Sequence, residues 1–143
     1  MAITASGIFF LSFEKMLANG AAISYELETN KGALVTDTHT PNFDTDETWN
    51  NTNETSGASW PAGGIALTGT ELTTSSGTTK FDATDVSQVT STVTAAEAYR
   101  LYADAQADEE ILLVDFTAPV TTVSGTLTIT WNASGIATWD LTP

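Results

Sequence analysis

The side chains that could perform acid, base or nucleophilic chemistry are few. The chain has one histidine, His39, and no cysteine, so such chemistry would depend on this imidazole or on carboxylates alone. His39 lies in a polar turn between Thr38 and Thr40. No serine or threonine occupies a nucleophile elbow. We therefore interpret His39 as a solvent-exposed turn residue, predict no catalytic residue and expect that the protein is not an enzyme.

A group of carboxylates in the same region could coordinate a hard cation. Asp44, Asp46 and Glu47 are followed by two asparagines, and Ca²⁺ prefers oxygen ligands of these kinds. The spacing does not match an EF-hand, because Trp49 occupies the sixth position, where that loop requires glycine. We interpret the group as a solvated acidic loop and predict no metal and no cofactor. A carboxylate pair for glycoside hydrolysis is also conceivable, but the distance that decides it is invisible in sequence.

Five aromatic residues are the candidates for binding a partner, because aromatic side chains are favoured at the centres of interfaces. They are Phe9, Phe13, Phe43, Trp49 and Trp60. We expect Trp49 and Trp60 to be exposed in a polar loop, where they could stack on a sugar or fill a partner's pocket. The alternative is a loop that folds over its own aromatic rings. The sequence leaves both open.

The charge balance argues against two classes of partner. Four cationic side chains face 18 carboxylates, and the formal net charge is -14. Binding a polyphosphate needs a clustered basic face, which four separated cations cannot form, so we predict no nucleic acid. The same reasoning predicts no association with anionic membranes. No signal peptide or membrane-spanning segment is predicted either.

One helix is predicted near the N-terminus, over residues 8–17. Ser6 is its expected N-cap, and Asn19 with Gly20 offers the stop that limits it to about residues 8–19. Such a helix either covers a sheet or docks the protein onto a larger assembly. Its apolar face would comprise Phe9, Phe13, Met16 and Leu17.

The next part of the chain changes to a period of two, which indicates strands. Ile23, Tyr25 and Leu27 would share the buried face of the first strand. A turn at residues 30–32 leads to a second strand at residues 33–36. Residues 37–64 are polar and lack a period, and a loop of that length is more often functional than merely connecting.

Further strands are predicted from residue 65 onward. Residues 67–74 and 78–81 would form a hairpin around the turn at 75–77. Residues 89–102 read as a strand followed by a polar loop at 103–110, and residues 111–116 as a strand buried on both faces that Pro119 ends. Residues 127–131 and 136–141 would pair as a second hairpin across the turn at 132–135. The expected core includes Leu127, Ile129, Trp131 and Trp139.

These elements predict a mostly β protein. The 143 residues fit one domain, residues 1–143, and the apolar fraction of 41% suffices for one core. About eight short strands separated by Ser, Gly, Asn and Asp turns are typical of a β-sandwich or a jelly-roll-like barrel. We therefore expect a single-domain β-sandwich or jelly-roll-like barrel with one N-terminal helix.

Four stretches carry a resemblance to a known family. They are residues 7–13 with 15–17 (GIFFLSF and KML), 33–37 with 40–44 (ALVTD and TPNFD), 81–83 (FDA) and 126–135 (TLTITWNASG). In these the chain resembles small virion structural proteins, namely capsid decoration or minor capsid proteins, of long-tailed bacteriophages of actinobacteria. The resemblance implies a virion-bound protein without enzymatic activity.

The function expected from this resemblance is binding to the outer surface of the major capsid protein shell, which it would stabilise. The partner would be the major capsid protein, and the chain would form a homo-oligomer, a dimer or trimer. So acidic a protein fits the outside of the shell better than the side facing packaged DNA. The alternative is a tail-associated adhesion module that binds host cell-surface glycan. A hydrolase based on carboxylates is a third, weaker possibility.

Overall fold

The computed structural model describes residues 3–140 and 142, which form nine strands and one helix. In chain order these are β1 (Gly7–Ile8), α1 (Phe10–Leu17), β2 (Lys31–Thr36), β3 (Glu54–Thr55), β4 (Ile65–Ala66), β5 (Glu71–Ser75), β6 (Thr78–Asp82), β7 (Val86–Ala103), β8 (Glu109–Ile129) and β9 (Ala137–Asp140). The protein is therefore mostly β with one short N-terminal helix, as predicted.

Two antiparallel sheets form a sandwich. The larger sheet has the order β1-β8-β7-β2-β3, and β4 pairs with β2 beside β3. The smaller sheet has the order β5-β6-β9. The main core lies between them and includes Leu34 and Leu101 from the larger sheet and Phe81 from the smaller one. Burial of this apolar surface is the main force that holds the sheets together.

The outer face of the larger sheet is also covered. Side chains on that face, such as Val35, Ala98 and Leu113, form a second core with Ile3 and Phe9 from the N-terminal segment. Phe43 and Trp49 from the long loop pack against it. The larger sheet thus has one face toward the smaller sheet and the other beneath the N-terminus and the loop, which explains why so many residues of its central strands are buried.

The hairpin of β7 and β8 is long and irregular. Its register shifts at five places, and four of the shifts contain a non-glycine residue with positive φ: Thr90, Ala95, Thr117 and Ser124. Such residues are typical of β-bulges, which bend a strand and increase its twist. The bulges let two strands of 18 and 21 residues curl around the core, where the sequence predicted short, separate strands.

Helix α1 confirms the predicted helix, but its first residue and its N-cap differ from the prediction. It begins at Phe10, after a Phe9 N-cap that makes no side-chain hydrogen bond. The prediction that Ser6 is the N-cap is wrong, because the Ser6 hydroxyl accepts a hydrogen bond from the Asp115 N–H (2.9 Å). The predicted stop is present as a Schellman motif, in which the Gly20 N–H donates to the Lys15 carbonyl (2.8 Å) and Asn19 takes positive φ.

Two predicted packing residues of the N-terminal third, Leu17 and Leu27, are exposed. Leu17 is 71% exposed, although the helical pattern placed it on the buried face. The segment of residues 23–28 is not a strand; it is built from turns. Ile23 and Tyr25 are buried there but Leu27 is 37% exposed, so the alternating pattern predicted burial correctly at two of its three positions.

The C-terminal hairpin was predicted wrongly. The turn exists, since the Gly135 N–H donates to the Asn132 carbonyl (2.7 Å). Strand β9, however, pairs with β6 and belongs to the other sheet. Trp131 and Trp139 are half-buried, whereas Leu127 and Ile129 are buried as expected. Leu141, expected in the last strand, lies outside the described residues.

Pro119 does not end its strand, contrary to prediction. It lies within β8, which pairs with β1 only at Leu112 and Leu113. Near Pro119, strand β8 therefore pairs only with β7 among the described residues, and its other side is a sheet edge. Proline, which has no N–H to donate, is tolerated at such an edge. The other predicted hairpin is confirmed: β5 and β6 pair around Ser76 and Gly77, whose positive φ angles suit a type I′ turn.

Candidate functional site

The long loop is held on the outer face of the larger sheet by main-chain hydrogen bonds. The Trp49 N–H donates to the Asp108 carbonyl (2.7 Å), and the Glu110 N–H donates to the Glu47 carbonyl (2.9 Å). The Phe10 N–H donates to the Phe43 carbonyl (2.8 Å). Because these backbone pairs fix residues 43–49 on the sheet, the side chains beneath this part of the loop are buried without regular secondary structure.

Arg100 lies beneath this loop and is the only buried cation among the described residues. It is 1% exposed and forms an ion pair with Glu110, which is equally buried. The Trp49 ring centre lies 4.8 Å from its guanidinium carbon and the Phe9 ring centre 5.8 Å. Burial lowers the pKa of Arg100 to about 10, and the nearby Asp46 carboxylate opposes that shift. The guanidinium therefore stays charged, held by one carboxylate and two aromatic faces.

A bulge places Glu110 beside Arg100. In the β7–β8 ladder, Leu101 pairs with Leu112 and the next residue, Tyr102, pairs with Glu110. Strand β8 therefore has one extra residue at this point, Ile111. Ile111 and Leu112 consequently both enter the main core, and Glu110 falls on the opposite face. Without the extra residue, strict alternation would place Glu110 on the same face as Leu112, inside the apolar core.

His39 is buried next to Arg100, and the prediction that it is a solvent-exposed turn residue is wrong. It is 7% exposed, and its backbone N–H donates to the Thr36 carbonyl (2.9 Å). The turn forms as predicted, but the loop folds back over the sheet and covers the ring. Burial lowers the pKa of His39 to about 4, the Arg100 charge lowers it further, and Asp46 partly offsets both. The imidazole is therefore neutral at pH 7.

These groups border a polar pocket of about 460 Å³. Arg100 and His39 are the buried residues of its lining, and they form its inner wall. Nε and Nη1 of Arg100 and Nε2 of His39 make no hydrogen bond within the described residues. The remaining lining residues are Thr38, Thr40, Thr45, Asp46, Glu47, Thr48, Asn50, Thr52 and Asn53. The pocket thus combines unused buried hydrogen-bonding atoms with a hydroxyl-rich and amide-rich wall.

None of the three acidic residues of the loop is buried, which agrees with the predicted solvated loop, and two of them also have hydrogen-bonding or ionic partners. Lys15 of α1 forms ion pairs with Glu47 and with Glu109, the latter at 2.7 Å. The Ser12 hydroxyl donates to the other Glu109 oxygen (3.1 Å). Asp46 accepts a hydrogen bond from the Asn42 N–H (2.9 Å). Within residues 3–140 and 142 no cluster of three or more metal-ligating side chains occurs.

The predicted partner-binding aromatics are divided among three places. Phe9 and Trp49 lie against Arg100. Phe43 packs on Phe9 with ring centres 5.2 Å apart, and Trp49 stacks on Tyr102 at 5.0 Å. Phe13 lies elsewhere, stacked on Trp139 at 6.5 Å. Trp60 is fully buried in the main core, so the expectation that it is exposed is wrong. Phe43 and Trp49 are half-buried. The loop folds over its own rings, which was the alternative left open.

A second candidate surface is an apolar groove where the edges of the two sheets meet. One part, of about 380 Å³, lies against the curled β8 and the segment after it. The other, of about 260 Å³, lies between β1 with β8 on one side and β9 on the other. Val114 and Ile136 line both parts, so the two parts adjoin, and we describe them together as the groove. Its further apolar lining includes Ile8, Leu113, Phe116, Val120, Leu127, Ile129 and Trp131.

The groove also presents unused main-chain edges. Within the described residues, β9 pairs only with β6, and β8 beyond Asp115 pairs only with β7. No described residue that lines the groove is charged, in a chain that carries 18 carboxylates. An open edge beside an apolar surface is the arrangement that accepts an added strand.

The chain matches no protein-family model, no curated protein and no solved structure. Both surfaces are therefore interpreted from their own geometry. Among the described residues, no helix has the length and apolar character that crossing a membrane requires.

The sequence reading missed the residues at the centre of both surfaces. Arg100 stands in an apolar run, AAEAYRLYA, with Tyr99 and Leu101 on either side. A lone cation in a strand of this kind is a signal of a buried ion pair, since such charges are rarely buried unpaired. The groove had no comparable signal, because it depends on which strands end a sheet.

Proposed function

We propose that the protein is a non-enzymatic accessory protein of a bacteriophage virion. In this proposal it binds the outer surface of the shell formed by the major capsid protein, as a dimer or trimer, and stabilises that shell. The observation that carries the proposal is the uncharged apolar groove between the open edges of the two sheets. It is a surface suited to binding an extended segment of another protein.

The groove fits a strand better than it fits a helix or a small molecule. Main-chain N–H and C=O groups at the β8 and β9 edges can pair with an extended segment, while alternate side chains of that segment enter the apolar lining. The proposed occupant is therefore an extended segment of the major capsid protein with apolar residues at alternate positions.

The charges around the groove define the occupant further. Asp85 lies at one end of the groove lining, where its carboxylate accepts a hydrogen bond from the Trp131 N–H (2.9 Å). The net charge of -14 attracts positively charged partner segments to the protein. We infer that Lys or Arg flanks the apolar stretch of the capsid segment, because such charges complement Asp85 and the negative net charge of the chain.

Two lysine substitutions on the same strand test this proposal. Val120 lines the groove, whereas Val123 is 80% exposed and lies outside it. Phage shells stripped of the protein are mixed with wild type, Val120→Lys or Val123→Lys, and bound protein is measured by co-sedimentation. We expect Val120→Lys to weaken binding by about tenfold or more, about 1.4 kcal/mol, and Val123→Lys to bind like wild type.

Shell melting provides the second readout. Binding that occurs only on the assembled shell raises its melting temperature by mass action, summed over many sites. Wild-type protein and Val123→Lys should both restore the melting temperature of stripped shells. If wild type neither binds nor stabilises the shells, the capsid proposal fails. If both lysine variants bind equally well, the groove is not the contact surface.

The alternative function, a tail-associated adhesion module for host glycan, also has a specific observation in its favour. This observation is the polar pocket at Arg100 and His39. Neither Trp49 nor Trp60, which the sequence analysis proposed to stack on a sugar, lines this pocket. Immunoelectron microscopy of virions separates the two, because a tail label would favour adhesion and a uniform label on the shell would favour decoration.

A further inference from the structure

We propose that the pocket at Arg100 and His39 binds the hydroxyl-bearing ring of an uncharged saccharide. The inference goes beyond the capsid function and does not rest on it. The pocket lies on the loop side of the larger sheet, and its lining shares no residue with the apolar groove.

The pocket contains buried hydrogen-bonding atoms that make no hydrogen bond within the described residues. Arg100 is 1% exposed and His39 is 7% exposed, yet Nε and Nη1 of the first and Nε2 of the second are unpaired among the described residues. Nearly all buried polar groups in proteins have a partner, and an unpaired one is costly. A ligand that supplies the missing partners is therefore favoured at this inner wall.

The charges at the pocket restrict the charge of the ligand. An anion would pair with Arg100, but Asp46 and Glu47 also line the pocket, and the chain carries a net charge of -14. A metal cation would meet the Arg100 charge at the inner wall. An uncharged ligand avoids both repulsions. Because Asp46 accepts hydrogen bonds and Arg100 donates them, the ligand needs groups that do both, which hydroxyls do.

The remaining wall of the pocket also suits a sugar. It consists of hydroxyl and amide side chains, each able to donate and accept hydrogen bonds with a sugar. They are Thr38, Thr40, Thr45, Thr48, Thr52, Asn50 and Asn53. The volume of about 460 Å³ lies within the range of small-molecule sites. Recognition here is by hydrogen bonds, since Trp49 is stacked on Tyr102 and is not part of the lining.

The test uses ¹⁵N-labelled protein and NMR titration with methyl α-glycosides of glucose, galactose and mannose. Sodium glucuronate, sodium sulfate and CaCl₂ are the charged controls. We expect saturable shifts for amides of residues 38–53 with at least one neutral glycoside, with a Kd on the order of 1–10 mM for a single ring. The charged compounds should give weaker shifts. If no glycoside gives saturable shifts there, or if glucuronate, sulfate or Ca²⁺ binds more tightly, the proposal is overturned.

A matched pair of variants on one loop tests the role of Asp46. Asp46→Asn keeps the shape of the side chain but removes the charged acceptor, and Asp44→Asn makes the same change outside the pocket lining. We expect Asp46→Asn to weaken glycoside binding by about tenfold and Asp44→Asn to leave it unchanged. Thr52→Val, at an exposed lining residue, is the second variant should Asp46→Asn perturb the fold. Equal affinities for wild type, Asp46→Asn and Thr52→Val would contradict the proposed site.

Discussion

The ring of Tyr99 in β7 lies against the backbone of Gly32 in β2 and fills the space that a side chain at position 32 would occupy. A Cβ atom built on Gly32 would overlap the Tyr99 phenol, which is itself buried in the main core. Glycine is required here by a close approach between neighbouring strands, not by its backbone angles.

Gly32→Ala is therefore expected to destabilise the protein by at least about 2 kcal/mol, because the well-packed ring must move. Gly125→Ala is the control on β8, since a Cβ there meets nothing closer than 3.8 Å. Urea unfolding of both variants measures the difference. Equal stability of the two variants would mean that Tyr99 can relocate freely.

The buried ion pair leads to a second prediction. Glu110→Gln preserves the shape of the side chain but leaves the Arg100 charge without its carboxylate. Removing one partner of a buried pair costs roughly 3–5 kcal/mol, whereas an exposed pair is worth about 1 kcal/mol or less. Asp104→Asn, which breaks the exposed pair with Lys31, is the matched control. Chemical denaturation should separate the two variants by at least about 2 kcal/mol.

The low pKa of His39 makes stability depend on pH. Its pKa is about 4 in the folded protein, against an ordinary value of about 6.5 in the unfolded chain. Between these values the unfolded chain binds a proton that the folded protein excludes, so the free energy of unfolding falls as the pH is lowered. The contribution is complete above about pH 6.5 and is lost on the way to about pH 4.

His39→Gln isolates this effect, because glutamine does not titrate. Between about pH 7 and pH 5 we expect wild type to lose roughly 1–2 kcal/mol more than the variant. Glu54, whose pKa is raised by burial, titrates in both proteins and cancels in the comparison. Parallel pH dependences of wild type and His39→Gln would show that the pKa of His39 is the same in the folded and the unfolded protein.

Two tryptophans should differ in their importance for stability. Trp60 is fully buried, and its Nε1 has no hydrogen-bond partner among the described residues. Trp131 is half-buried, and its Nε1 donates to the Thr84 carbonyl (3.1 Å). We expect Trp60→Ala to cost about 3–5 kcal/mol and Trp131→Ala clearly less. Urea denaturation curves compare them, and a larger loss for Trp131→Ala would contradict the packing described above.

Features that depend on neighbouring residues were predictable from the sequence. The turn at Ser76 and Gly77 needs residues that accept positive φ, and it brings β5 and β6 together without help from distant parts of the chain. The stop after α1 is equally local, because Asn19 and Gly20 complete its last turn. The overall β class follows from the alternating patterns, since a period of two buries one face of any strand.

The tertiary structure alone decided which strands pair and which polar groups are buried. The turn at 132–135 suits a hairpin, yet β9 joins β6, because strand pairing over long separations depends on how the sheets pack and not on the turn. The bulge at Ile111 turns Glu110 toward Arg100, and the loop then covers His39. Local sequence does not encode these contacts, because each depends on how separate parts of the chain pack together, and Arg100 joins the pocket of residues 38–53 only through such packing.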